Sequence, residues 1–204
     1  MALTNFTDLK ASVADFLNRS DLTNVIPDFI TMTESEMNRL LRVREMSVRT
    51  RAALDSQYLQ LPVDYLGMRN IELLTTPVTP LEYLNPQNID LHRRDDPSGK
   101  PLFYTILQNN LEFAPVPDTE YTLEIIYYQR IPSLATFTTN WMMDTNPDAY
   151  LYGALMQSAP YLHADERIQV WAGKFQQILG QIITSDENAR FSGTTPVVAF
   201  NPLG

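Results

Sequence analysis

The stretch "NPDAYLYGALMQSAPYLHADERIQVWAGKFQQIL", residues 146–179, decides the fold. Asn146 stands where a helix cap belongs, Pro147 has the φ that suits a first helical position, and Asp148 brings a negative charge to the positive end of the helix dipole. Leu151, Ala154, Leu155, Ala159 and Leu162 then share one helical face. Pro160 must kink or end that helix, because it lacks a donor and crowds the preceding turn. Asp165 can start another, in which Ile168, Trp171, Phe175, Ile178, Leu179 and Ile182 recur by threes and fours, the seam of a helix packed along a partner.

That seam needs a partner, and the N-terminus offers one. Leu9, Val13, Phe16 and Leu17 fall on one helical face, with Thr4, Asn5 or Thr7 available as cap. After "NRSD", Asn24 can cap a second helix that tolerates Pro27 in its first turn and carries Ile26, Phe29, Ile30, Met37, Leu40 and Leu41. Neither helical pair has surface enough to cover its own stripe. Packed together they bury large side chains at about 1.5–3 kcal/mol each, so the two ends of the chain are expected to meet.

Between them the period changes. "MSVRTRAAL", "QYLQLP" and "RNIELL" mix alternation with β-formers, and prolines at 77, 80 and 86 punctuate the chain. "NPQNIDLHRR" holds one helical turn, with Asn85 as cap and Pro86 first. "FYTILQNNLEFAP" reads as a hairpin turning at Asn109-Asn110, and "YTLEIIYYQRIP" is a further apolar strand. The expectation is an α+β chain: a helical bundle from residues 1–43 and 141–190, an antiparallel, sandwich-like β-rich insert over 44–140, and an extended arm over 191–204.

Composition removes several function classes. With no cysteine there is no disulfide framework and no zinc-thiolate site. No apolar run approaches the roughly 20 residues of a membrane span, and the first residues lack the pattern of a signal peptide, so a soluble protein, intracellular when made, is expected. A formal charge of −9 argues against gripping nucleic-acid phosphates and favours proteins, small molecules or further copies as partners.

The residues able to carry chemistry do not assemble into a site. His92 lies near Asp95 and Asp96, a spacing that a solvated, charge-balanced loop explains, and His163 falls at a helix junction. "SGK" at 98–100 lacks the earlier glycine and the following hydroxyl of a phosphate loop and reads as a turn. Glu34 and Glu36, two apart on a helix, read as wet surface. No catalytic residue, metal ligand or cofactor is expected.

The tyrosines and the tail point to contact with other chains. Tyr150 and Tyr152 differ by two helical positions, roughly 200°, so one of them must look away from the bundle core. After Arg190, Phe191, Val197, Val198, Phe200 and Leu203 are separated by Gly and Pro, too broken to form a core and too apolar to stay free. These seven residues are the candidate protein interface, with the arm lying on its own β module or on a neighbour.

In order, the N-terminal helices, "YLQLPVDYLGMRNIEL", "YTLEIIYYQRIPSL" and the opening stretch make the chain resemble the head-to-tail adaptor proteins of tailed bacteriophages, including the tail tubular protein A type. The resemblance implies a non-enzymatic virion protein of the neck, put together in the host cytoplasm. It implies twelve copies in a ring beneath the portal, joined to tail or nozzle proteins, with double-stranded DNA passing through without sequence-specific binding. The arm would reach toward the portal. A tail-completion or terminator protein is the alternative within the virion, and a ligand- or glycan-binding module on a helical stalk the alternative outside that class.

Overall fold

The computed structural model describes residues 3–95, 98–162 and 166–191. The fold is α+β and divides into two compact units. One is built from the residues through Glu45 together with those from Ile131 onward, and the other is Met46–Arg130.

The chain opens with α1 (Phe6–Leu17), capped by Asn5, whose side-chain oxygen accepts the N–H groups of Thr7 and Asp8. Asn18 in the left-handed conformation ends it. Helix α2 (Ile26–Leu40) has Val25 rather than Asn24 at its cap position and so no side-chain cap, while Pro27 occupies its first turn as expected.

The second unit carries two four-stranded sheets. Its elements are β1 (Ser47–Leu54), β2 (Tyr58–Gln60), β3 (Tyr65–Leu73), β4 (Thr79–Pro80), β5 (Glu82–Tyr83), α3 (Pro86–Asp95), β6 (Ser98–Gly99), β7 (Phe103–Leu107), β8 (Asn110–Ala114), β9 (Val116–Pro117) and β10 (Tyr121–Gln129). One sheet runs β1-β10-β3-β4 and the other β2-β8-β7-β5, with β6 and β9 forming a small parallel pair. The long β10 is antiparallel to both β1 and β3. Alternation along it turns Leu123, Ile125 and Tyr127 into a core with Leu54, Ile71 and Leu73 of the same sheet, and Tyr104, Leu111 and Phe113 of the other sheet close that core. Helix α3 packs on β7 and β8 and is longer than the single turn expected from sequence, although Asn85 does cap it.

The hairpin β7–β8 forms where expected, but its turn is Gln108-Asn109, since Leu107 pairs with Asn110. The positive φ, 55°, belongs to Gln108.

Back in the helical unit the chain forms α4 (Trp141–Thr145), α5 (Pro147–Gln157) and, after the tight turn Ala159–Tyr161, α6 (Arg167–Phe191). Helix α5 touches α1, α2, α4 and α6. It buries Ala149, Tyr150, Leu151, Gly153, Ala154 and Leu155, which cover about 240° of the helix at 100° per residue, an arc far wider than a single stripe that leaves Asp148 and Tyr152 toward solvent. Pro147 takes the first position, but Asn146 makes no side-chain cap and bonds to Thr145 instead. Pro160 ends α5 as its missing donor requires.

Candidate protein interface

The seven residues expected at an interface part company in the structure. Tyr150 is completely buried in the helical unit and offers no surface to a partner. Its hydroxyl accepts a hydrogen bond from Asn140 Nδ2 at 2.7 Å and faces Glu34 Oε1 at 3.5 Å. Burial holds that hydroxyl well above the ordinary tyrosine range. The physical reason for its position is the width of the buried arc of α5, which packs against α1, α2, α4 and α6. Tyr152, on the opposite side, is half-buried and keeps access to solvent. Phe191 is the last residue of α6, and Val197, Val198, Phe200 and Leu203 lie outside the described residues.

Glu34 corrects a second expectation. It is buried, not wet, and its Oε1 accepts the Leu134 N–H at 2.7 Å. With Asn38, whose Oδ1 accepts the Ile131 N–H at 2.9 Å, it ties α2 to the segment that leads into α4. Asn140 completes the tie, donating to Pro132 O while its own oxygen caps α4 at Met143. Burial raises the Glu34 carboxyl above its ordinary range, against the opposing pull of the Leu134 N–H. Glu36 is bonded to Gln157 of α5 at 2.7 Å.

Around Tyr152 the surface is hollowed. A cavity of about 410 Å³ is lined by Asp148, Tyr152, Lys174, Gln177, Ile178 and Gln181. A second, of about 370 Å³, shares Asp148, Ile178 and Gln181 with it and adds Arg44, Trp141 and Asp186. Together they form a groove along α6 beside the start of α5. The buried Asp186 organises one wall, accepting the Arg44 N–H at 3.0 Å and pairing with Arg190 at 2.6 Å. The lining mixes Trp141, Tyr152 and Ile178 with charged and amide side chains.

Sequence reasoning missed Trp141 and the helix that carries it. Five residues are too few to show a period, and the available signal was Asn140 standing three places before Met143. His92 lies exposed on α3 with its ring stacked on Phe103 at 4.4 Å. Of its presumed neighbours, the side chain of Asp95, like Asp96 and His163, lies outside what the structure describes. Lys100 bonds to Thr79 at 2.8 Å. Among the described residues no three His, Asp or Glu gather as metal ligands, and no helix is long and apolar enough to cross a membrane.

No curated protein matches the chain. A family model described as "SU10 adaptor protein" matches residues 4–199.

Proposed function

The chain belongs to the SU10 adaptor protein family, a family of structural phage adaptors, and from that premise we propose that its copies form the head-to-tail ring joining the portal to the tail. The observation that carries this reading is the extent of the match: residues 4–199 take in the helical unit and the β unit alike, so the whole chain and not a borrowed module is of adaptor type. The partners are then the portal above, tail or nozzle proteins below, and sister copies around a ring of twelve. Double-stranded DNA passes through the centre. A formal charge of −9 suits such a passage, because a wall that does not bind the polyanion lets it slide.

Within this reading Tyr152 and the groove beside α6 form a surface for another chain, with Phe191 at the end of α6, and Val197, Val198, Phe200 and Leu203 belong to an arm that lies on a neighbour or on the portal. Assembly takes place in the host cytoplasm and the finished ring resides in the virion neck.

The purified protein mixed with the portal of the same phage is expected to give a ring-bearing complex visible by negative-stain electron microscopy. Failure of the two to associate at near-physiological salt would overturn the reading. Cross-linking in intact particles separates it from a tail-terminator role, since a terminator links to tail tube and not to portal.

A further inference from the structure

We propose that the outward face of the β1-β10-β3-β4 sheet is the surface by which one copy of the chain holds the next, and that its occupant is an acidic corner of the neighbour's same sheet. The proposal rests on the ring reading above and adds to it the contact that makes the ring.

The pairing registers define the face. Arg49 lies opposite Ile126, Arg51 opposite Glu124 and Ser47 opposite Tyr128, alternating with the residues that enter the core. On the other side of β10, Asn70 stands opposite Ile126 and Glu72 opposite Glu124. Arg69 extends across the same face, its guanidinium 5.2 Å from the Tyr128 ring centre and donating to Ser47 Oγ at 2.8 Å.

Charge on this face runs against the rest of the chain. Three arginines meet two carboxylates, in a protein whose formal net charge is −9. Glu124 is 3% exposed between Arg51 at 2.9 Å and Arg49 at 3.4 Å, whereas those two side chains are 62% and 63% exposed. One carboxylate therefore shares two guanidinium groups, and both keep N–H donors in a fork that fits further carboxylates. Ile126 and Tyr128, both half-buried, add apolar surface beside them.

The arginines are the exposed part of this face, with Glu124 held beneath them, so a two-fold contact centred on Arg49 and Arg51 would set arginine against arginine. A contact between two different patches avoids that repulsion, and a head-to-tail contact of this kind closes a ring where its rotation returns to the first copy. The complementary patch is at the end of the same sheet. Leu54 and Tyr121 form the last pair of β1 and β10, so Asp55 and Glu120 flank it, and the Tyr121 hydroxyl holds Asp118 at 2.7 Å. All three acids are exposed.

The test uses full-length chains assembling on the portal. Arg49→Glu with Arg51→Glu gives a copy whose face and corner are both acidic, and Asp55→Lys with Glu120→Lys gives one in which both are basic. Each variant alone is expected to lose at least ten-fold in ring yield. An equimolar mixture is expected to recover it, because every junction then meets opposite charges. Circular dichroism checks that the arginine variant folds, and the corner variant touches neither Glu124 nor the core. If each variant assembles like the unmodified chain, the proposal is overturned while the ring reading stands. If both fail and mixing restores nothing, the face serves a different protein and the proposal is likewise overturned. Normal rings that no longer retain DNA would assign the arginines to DNA instead. An unmodified chain that forms no ring removes the ring reading and this contact with it.

Discussion

Glu34 shows how much of the helical unit depends on single polar atoms. Its carboxylate, the Tyr150 hydroxyl, the Asn140 amide and the Leu134 N–H form one buried series. Because burial raises the Glu34 pKa in the folded chain, the fold binds that proton more tightly than the unfolded chain does. The stability this contributes is fully present below the ordinary carboxylate range and is lost as pH rises through the raised folded value. Glu34→Gln keeps an acceptor for Leu134 without the ionisation. In urea titrations across that range its midpoint should vary less with pH than that of the unmodified chain, and an unchanged slope would show that Glu34 does not titrate there. Gly153 is constrained by space instead. A Cβ at this position would stand 2.2 Å from Thr33 Cγ2 and 3.0 Å from Phe175 Cε2. Thr33 cannot swing away, being buried with its hydroxyl donating to Phe29 O at 2.8 Å. Helix propensity favours alanine here by about 1 kcal/mol, whereas forcing a methyl into a packed core costs about 1–3 kcal/mol. Gly153→Ala should therefore lower the thermal midpoint, and a rise would mean that α2 and α6 yield easily to α5.

Among the elements, those with a period long enough to read were legible. Twelve residues of α1 and 25 of α6 show both cap or seam and length, and their apolar spacing identifies Leu9, Val13, Trp171, Phe175 and Leu179 as core. Two elements were legible in part or not at all because their signals are short or polar: α4 has five residues, and α3, expected as one turn capped by Asn85, runs on through a polar sequence. Tyr150 and Glu34 were misplaced for a different reason. Periodicity ranks the faces of one helix, but it cannot show that a helix such as α5 packs against four others, nor that Leu134, 100 residues from Glu34, brings an N–H to it. The partners of β10 were equally hidden, since β1 and β3 lie far back in the chain. The hairpin turn was read one residue late, because asparagine is the usual occupant of a positive φ and Gln108 is not. A side chain in that conformation costs about 1–2 kcal/mol. Gln108→Gly should thus raise the melting temperature of the protein despite the added freedom of the unfolded chain, and calorimetry that shows a fall would place no strain at the turn.

At the scale of the molecule, the β unit has what an independently folding domain needs. Every residue of its buried cluster, from Leu54 to Tyr127, lies inside Met46–Arg130. Its first and last strands are neighbours, with Ser47 directly opposite Tyr128, so the chain enters and leaves side by side. Domains inserted in this way have close termini and a core of their own. Buried Glu112 is met within the unit as well, by Arg93 at 2.6 Å and Gln57 at 3.1 Å. A fragment of residues 46–130 should therefore fold alone, with dispersed amide resonances and a single cooperative thermal transition. The helical unit, assembled from two distant segments, should not survive division at the same points as separate peptides. A fragment that stays unfolded while the full chain is folded would mean that the sheets draw stability from the helices. In that case charge changes on the sheet face would no longer report on ring contacts alone. The fragment measurement accordingly comes first, because its outcome decides whether the sheet can be altered without disturbing the rest of the adaptor.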